Sequence, residues 1–136
     1  MKHLLLIALA ACGSRPPVVT WASGGTSVTE RITIASNGQG HYLSVNNGTV
    51  DKDERLELTK DQLDELKELL RSHHACELAH DPAYTPVANE GTVTLELSFP
   101  DLRCKVMLWD LEWQHQARDI VETMHSMRPL RPKKVR

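Results

Sequence analysis

Apolar and polar positions alternate along Val28–Ala35, with Val28, Ile32 and Ile34 on one side and Thr29, Arg31 and Thr33 on the other. That is the period of a half-buried strand. Asn37-Gly38-Gln39-Gly40 has turn composition, and 41–45 repeats the alternation with Leu43 and Val45 directed inward, so the two segments predict a hairpin. Beyond Asn46-Asn47-Gly48, Thr49-Val50 opens a charged stretch, and Arg55-Leu56-Glu57-Leu58 alternates briefly as a third strand. The period then changes. Leu63, Leu66, Leu69 and Leu70 recur at helical spacing behind Thr59-Lys60-Asp61-Gln62, where Thr59 and Gln62 suit a capping box and the acidic first turn suits the helix dipole. A helix over Lys60–Ser72 follows.

Residues 73–91 contain Pro82, Pro86 and Gly91 and read as a long irregular connection, a length that marks a loop as functional or mobile. Alternation returns at Thr92–Phe99 (Val93, Leu95, Leu97, Phe99) and, after Pro100-Asp101, at 103–109 (Cys104, Val106, Leu108). Trp113, Ala117, Ile120, Val121, Met124 and Met127 then predict a second helix from about Leu111 to Met127. The predicted order is β-β-β-α-β-β-α. This is an α+β domain over residues 28–127, an antiparallel sheet with two helices packed on one face.

The N-terminus has a different pattern. Met1-Lys2-His3 is basic, Leu4 to Leu9 is an apolar run too short to span a bilayer, and Leu9-Ala10-Ala11-Cys12 follows. This resembles the lipobox of bacterial lipoprotein precursors. The resemblance implies a signal peptide over 1–11, cleavage before Cys12, and a diacylglyceryl group on its thiol. Two or three acyl chains, at ~0.8 kcal/mol per buried CH₂, hold a protein firmly on a membrane. Gly13 stands where an Asp would favour inner-membrane retention, so the resemblance implies an outer-membrane protein facing the periplasm. Residues 12–27, with Pro16-Pro17 and Gly24-Gly25, read as the lipidated cysteine and a tether, within which Val18-Val19-Thr20-Trp21 has the composition of an edge strand.

Cysteine usage agrees with an exported domain. Apart from Cys12, only Cys76 and Cys104 remain, and two cysteines in an oxidising compartment are read as one disulfide. Cys76 follows helix 1 and Cys104 lies on the inward side of its strand, so pairing and fold are mutually consistent. A metal-binding or reactive thiolate is the alternative for Cys76, which sits among His73, His74 and His80.

Charge changes the picture only at the C-terminus. The 136 residues carry a formal net charge of −2, which gives no case for nucleic-acid binding. From Cys12 to Met127, however, ten Lys and Arg stand against eighteen Asp and Glu, a net of −8. The compensating cations are concentrated in 128–136, which alternates Arg and Lys with prolines and reads as a disordered basic tail suited to an anionic surface.

Candidate chemistry is sparse. The chain contains no G-x-S-x-G, Walker loop, G-x-G-x-x-G or H-E-x-x-H, and no catalytic residue or cofactor is expected. His73, His74 and His80 form a weak metal-binding group, for which a polar loop after a helix C-terminus is the simpler account. His115, Asp119 and Glu122 share one face of helix 2, where a solvated surface is the simpler account. Trp109 and Trp113 read as packing residues at a strand–helix junction. The strand and helix order, with Leu58-Thr59-Lys60-Asp61-Gln62-Leu63-Asp64-Glu65-Leu66 after a glycine-bearing hairpin, is similar to emfourin-type protease inhibitors, though no inhibitory residue carries over. The expectation is a non-catalytic binding module of the bacterial envelope, held on the membrane through Cys12 and facing a protein partner. An emfourin-like inhibitor and a weak metal-binding protein are the alternatives.

Overall fold

A computed structural model describes residues 15–25 and 27–128; the expected signal peptide 1–11, Cys12 and the expected tail 129–136 lie outside the described residues. The elements are β1 (Pro17–Gly24), β2 (Val28–Ala35), β3 (Gln39–Asn46), β4 (Thr49–Glu57), α1 (Lys60–Ser72), a 3-10 turn (Ala75–Glu77), β5 (Thr92–Phe99), β6 (Leu102–Trp109) and α2 (Asp110–Ser126). All strand pairs are antiparallel, in the order β4-β3-β2-β1-β5-β6. The α+β class and the antiparallel sheet follow the expectation, with one strand more than predicted.

That strand is β1. Read as tether, Pro17–Gly24 instead lies at the centre of the sheet between β2 and β5, where Val19 faces Ile34 and Leu97 and Trp21 faces Ile32 and Leu95. Val18-Val19-Thr20-Trp21 combines β-branched and aromatic side chains, and all four are buried. The flanking Pro and Gly that suggested a linker only bound the strand. Gly91 explains how closely the chain packs at its end: a Cβ there would come within 2.6 Å of the Gly24 carbonyl oxygen.

β3 differs from the expectation by one residue of phase. Tyr42 and Ser44 point inward and are buried, whereas Leu43 and Val45 are half-buried on the other side. Since side chains alternate with period two, a slip of one exchanges the faces. The pairing of Tyr42 with Ile32 fixes the phase. The tyrosine is accommodated because its hydroxyl, at the far end of the ring, donates to Glu30. Burial and this carboxylate together push its pKa up to about 12. Val28, at the strand end, is exposed. β4 begins earlier than predicted, after Asn47 and Gly48, whose positive φ angles of 51° and 80° suit a two-residue hairpin turn. Its charges, which hid it as a strand, suit an edge that must resist pairing with another chain.

Both helices form where expected. Thr59 accepts the Gln62 amide at 3.1 Å while the Gln62 side chain accepts the Thr59 amide at 2.8 Å, completing the capping box. Leu63, Leu66 and Leu70 of α1 share one core with Trp113, Ile120, Val121 and Met124 of α2 and with the inward residues of the strands. At its centre Trp113 meets Trp21 edge-to-face, ring centroids 4.9 Å apart, and donates its indole N–H to the Val93 carbonyl at 2.8 Å. Trp113 is therefore a packing residue. Asp101, in the β5–β6 turn, binds Lys67 and Arg71 of α1, each at 2.6 Å. These two cations hold its carboxyl below the usual range.

The disulfide joins Cys76 of the 3-10 turn to Cys104 of β6, with the Cα atoms 5.5 Å apart. Arg128, assigned to the basic tail, is placed against the domain, where its guanidinium donates to Glu30.

Candidate functional site

Two polar clusters stand out, and they differ in how their charges are used. The first lies where the 78–91 loop meets the start of α2. Trp109 occupies the N-cap position and has no side-chain oxygen to accept the helix's unpaired amides. Carboxylates and backbone supply the need. Glu90 reaches in from the loop and accepts the Leu111 amide at 2.7 Å, and the Gly91 carbonyl accepts that of Asp110 at 3.0 Å. Glu112, inside the first turn, accepts the Trp109 amide at 3.2 Å.

The same two carboxylates bind the loop. Glu112 is 1% exposed and also accepts the Asp81 amide at 2.6 Å, His80 Nδ1 at 3.0 Å and Gln116 Nε2 at 3.3 Å. Burial alone would raise its pKa, but the His80, Asp81 and Trp109 donors outweigh burial and hold it below the ordinary carboxylate value. Glu90 accepts the Tyr84 hydroxyl at 2.7 Å and the Val87 amide at 3.0 Å. Its pKa is lowered in the same way, against burial, by the Tyr84, Leu111 and Val87 donors. Desolvation and Glu90 push the Tyr84 hydroxyl up to about 12. Every acceptor in this cluster is committed to a donor of the chain itself, so its chemistry is that of a clamp.

This clamp accounts for His80. His73, His74 and His80 do not converge: His73 Nε2 lies 3.4 Å from Asp119, His74 Nδ1 lies 2.8 Å from Glu77, and His80 is bound to Glu112. His115, Asp119 and Glu122 are exposed on α2, with the His115 ring edge-on to Tyr84 at 6.2 Å. Among the described residues no group of three or more His, Cys, Asp or Glu side chains is placed to hold a metal ion.

The second cluster lies on the opposite side of the β2–β3–β4 hairpins from the core. In register there, Thr33 faces His41, His41 faces Arg55, and Arg31 faces Leu43. Arg31, Thr33, His41 and Arg55 line a cleft of about 690 Å³, together with Arg15, Gln39 and Glu57. His41 Nε2 is bound to Asp53. Arg15, Arg31 and Arg55 are exposed, and among the described residues none has a carboxylate oxygen within 4.0 Å. Three arginines thus line one cleft of a strongly acidic domain, with Glu57 as the one carboxylate in its lining.

Neither cluster was singled out by sequence reasoning. Glu112 carried a usable signal, since a Glu at the third position of a helix commonly accepts the N-cap amide. Arg31 and Arg55 carried none, because they lie 24 positions apart and only the pairing of β2, β3 and β4 puts them on one side of the sheet. Compared with known protein families and with curated proteins, the sequence matches none significantly.

Proposed function

We propose that the chain is a lipid-anchored protein of the bacterial envelope whose domain binds a partner and carries out no chemistry on it. The anchor in this reading is Cys12 of Leu9-Ala10-Ala11-Cys12, with outer-membrane placement favoured by Gly13. Since β1 begins at Pro17, the tether is shorter than composition suggested, and the domain stands close to its anchor. The observation that carries the binding reading is the cationic cleft, lined by three arginines that have no carboxylate within ion-pair distance among the described residues, while the acidic clamp spends its groups internally. We take α1 and α2 to pack together on the apolar face, because strand positions of that face share one core with Leu66, Leu70, Trp113 and Ile120. The cleft face is then free for a partner.

Two measurements test this reading. Labelling with radioactive palmitate in a bacterium is expected to mark the wild type and spare Cys12→Ser; equal labelling of both overturns the anchor. Cross-linking of the full-length protein in its envelope is expected to capture a partner in the wild type and less of it in an Arg31→Glu/Arg55→Glu variant. Undiminished capture removes the cleft from the binding surface. A second reading, emfourin-like protease inhibition, is favoured by the capped helix that follows the β3–β4 hairpin across Leu58 to Leu66. Titration of purified metalloproteases with the protein decides it.

A further inference from the structure

We propose that the Arg15–Arg31–Arg55 cleft seats the phosphate of an anionic lipid headgroup. The inference deepens the binding reading and, for the choice of ligand, rests on the lipidation of Cys12. The chemistry comes first. A guanidinium presents a planar fork of N–H donors that matches a phosphate's oxygens, and it remains charged at any physiological pH. Arg31 on β2 and Arg55 on β4 lie on the same side of the sheet, diagonally across β3, where Arg31 pairs with Leu43 and Arg55 with His41, and both line the cleft. Thr33 and Gln39 add neutral hydrogen-bonding groups to the lining. Glu57 in the lining is the opposing charge, and Asp53 is engaged with His41. Among the described residues the three exposed arginines have no carboxylate within ion-pair distance, so their donors are available to an anion that enters the cleft.

Chain reach selects the source of that counter-charge. Arg15 follows Cys12 by three residues, and three fully extended residues span at most about 11 Å. A lipid on Cys12 would therefore keep the mouth of the cleft within about 11 Å of the point where the acyl chains leave the bilayer, which is headgroup depth. A free anion must compete with a headgroup present at far higher local concentration. The domain's net acidity confines this attraction to the cleft, because an anionic membrane repels an acidic surface. The cleft would thus orient the domain, turning the β2–β3–β4 face down and leaving the 78–91 loop exposed to the periplasm.

The test uses full-length protein carrying Cys12→Ser, so that acyl chains do not mask headgroup binding. Co-sedimentation is measured with vesicles of phosphatidylcholine alone and with vesicles containing phosphatidylglycerol. Binding is expected only to the latter, weakening about fivefold for each of Arg31→Gln and Arg55→Gln, as about 1 kcal/mol per cation near an anionic surface implies. Raised salt should suppress it. Arg118→Gln, an exposed cation on α2, should leave it unchanged, and circular dichroism verifies that each variant is folded. Equal losses in Arg118→Gln, or none in the cleft variants, overturn the proposal. Inorganic phosphate, followed by NMR of the arginine side chains, separates the sources. If it shifts Arg31 and Arg55 while vesicle binding ignores them, the ligand is a soluble anion and the headgroup assignment fails. Palmitate labelling reports on Cys12 alone, so failure of the anchor and failure of the cleft give different results.

Discussion

The acidic clamp at the start of α2 and the cationic cleft on β2–β4 hold comparable numbers of charged side chains in opposite states. In the clamp, Glu90 and Glu112 together accept from four backbone amides and from the side chains of Tyr84, His80 and Gln116. In the cleft, Arg15, Arg31 and Arg55 have no ionic partner among the described residues. Buried charge must be matched within the fold, because an unmatched ion costs several kcal/mol. Exposed charge carries no such requirement, so its arrangement is free to answer to something outside the molecule. Changing the clamp should therefore cost stability, whereas changing the cleft should cost binding.

The largest effect is expected at the covalent end of the clamp region. Cys76–Cys104 ties the beginning of the 73–91 connection to β6 and closes a loop with a sequence separation of 28. Replacing both cysteines by Ser should lower stability by about 3.5 kcal/mol in the chain-entropy model, and the melting temperature by roughly 15 °C for a domain of this size. Calorimetry of the variant checks this. A change of only a degree or two would mean that the carboxylates hold the loop without the bridge.

Glu112 comes next. Glu112→Gln keeps the shape but replaces one acceptor oxygen by an NH₂ group, which cannot accept from Asp81, Trp109 and His80 together. One buried donor loses its partner, and the loss should be about 2 kcal/mol. The pH dependence gives a second reading of the same charge. The folded-state pKa values of Glu112 and Glu90 lie below their ordinary values. The stability they contribute is therefore fully present above the unfolded-state value, ~4.3 for Glu, and is lost as pH falls through the lower folded-state values. Wild-type melting temperature should fall steeply in that acid range, and the Glu112→Gln curve should be flatter there. Parallel curves would remove Glu112 as a source of the acid sensitivity.

These contrasts also explain what the chain disclosed in advance. Helix α1, strands β5 and β6 and the disulfide were legible because each depends on a local period, a local cap or a residue count. β1 was hidden, although Val18 to Trp21 had the right composition, because a strand's place in a sheet is decided by partners far along the chain, here Ile32–Ile34 and Leu95–Leu97. Tyr42 was assigned to the wrong face for a related reason. Its ring is apolar enough for the core, and its hydroxyl finds Glu30 only once β2 and β3 are paired. The 73–91 connection was read as functional or mobile from length alone, and the structure pins it through Glu112 of α2 and Glu90 of the loop itself, neither of which stands out in the sequence. The cleft is the extreme case, since no single segment contains two of its arginines.

The smallest expected effect sharpens the comparison most, because its sign should be opposite. Arg31 sits on β2 between Ala22 of β1 and Leu43 of β3, exposed, with no carboxylate within ion-pair distance. Arg31→Gln removes a like charge from the company of Arg15 and Arg55 and leaves the strand's backbone pairing in place. The change in stability should lie within about 0.5 kcal/mol, as for surface substitutions generally, and on the stabilising side at low ionic strength. Added salt screens the repulsion that the wild type retains, so the small advantage of the variant should shrink as salt rises. Melting curves of both proteins at low and high salt provide the measurement. A loss of several degrees, insensitive to salt, would show that Arg31 is held by contacts within the fold, and the cleft would then belong with the clamp as architecture.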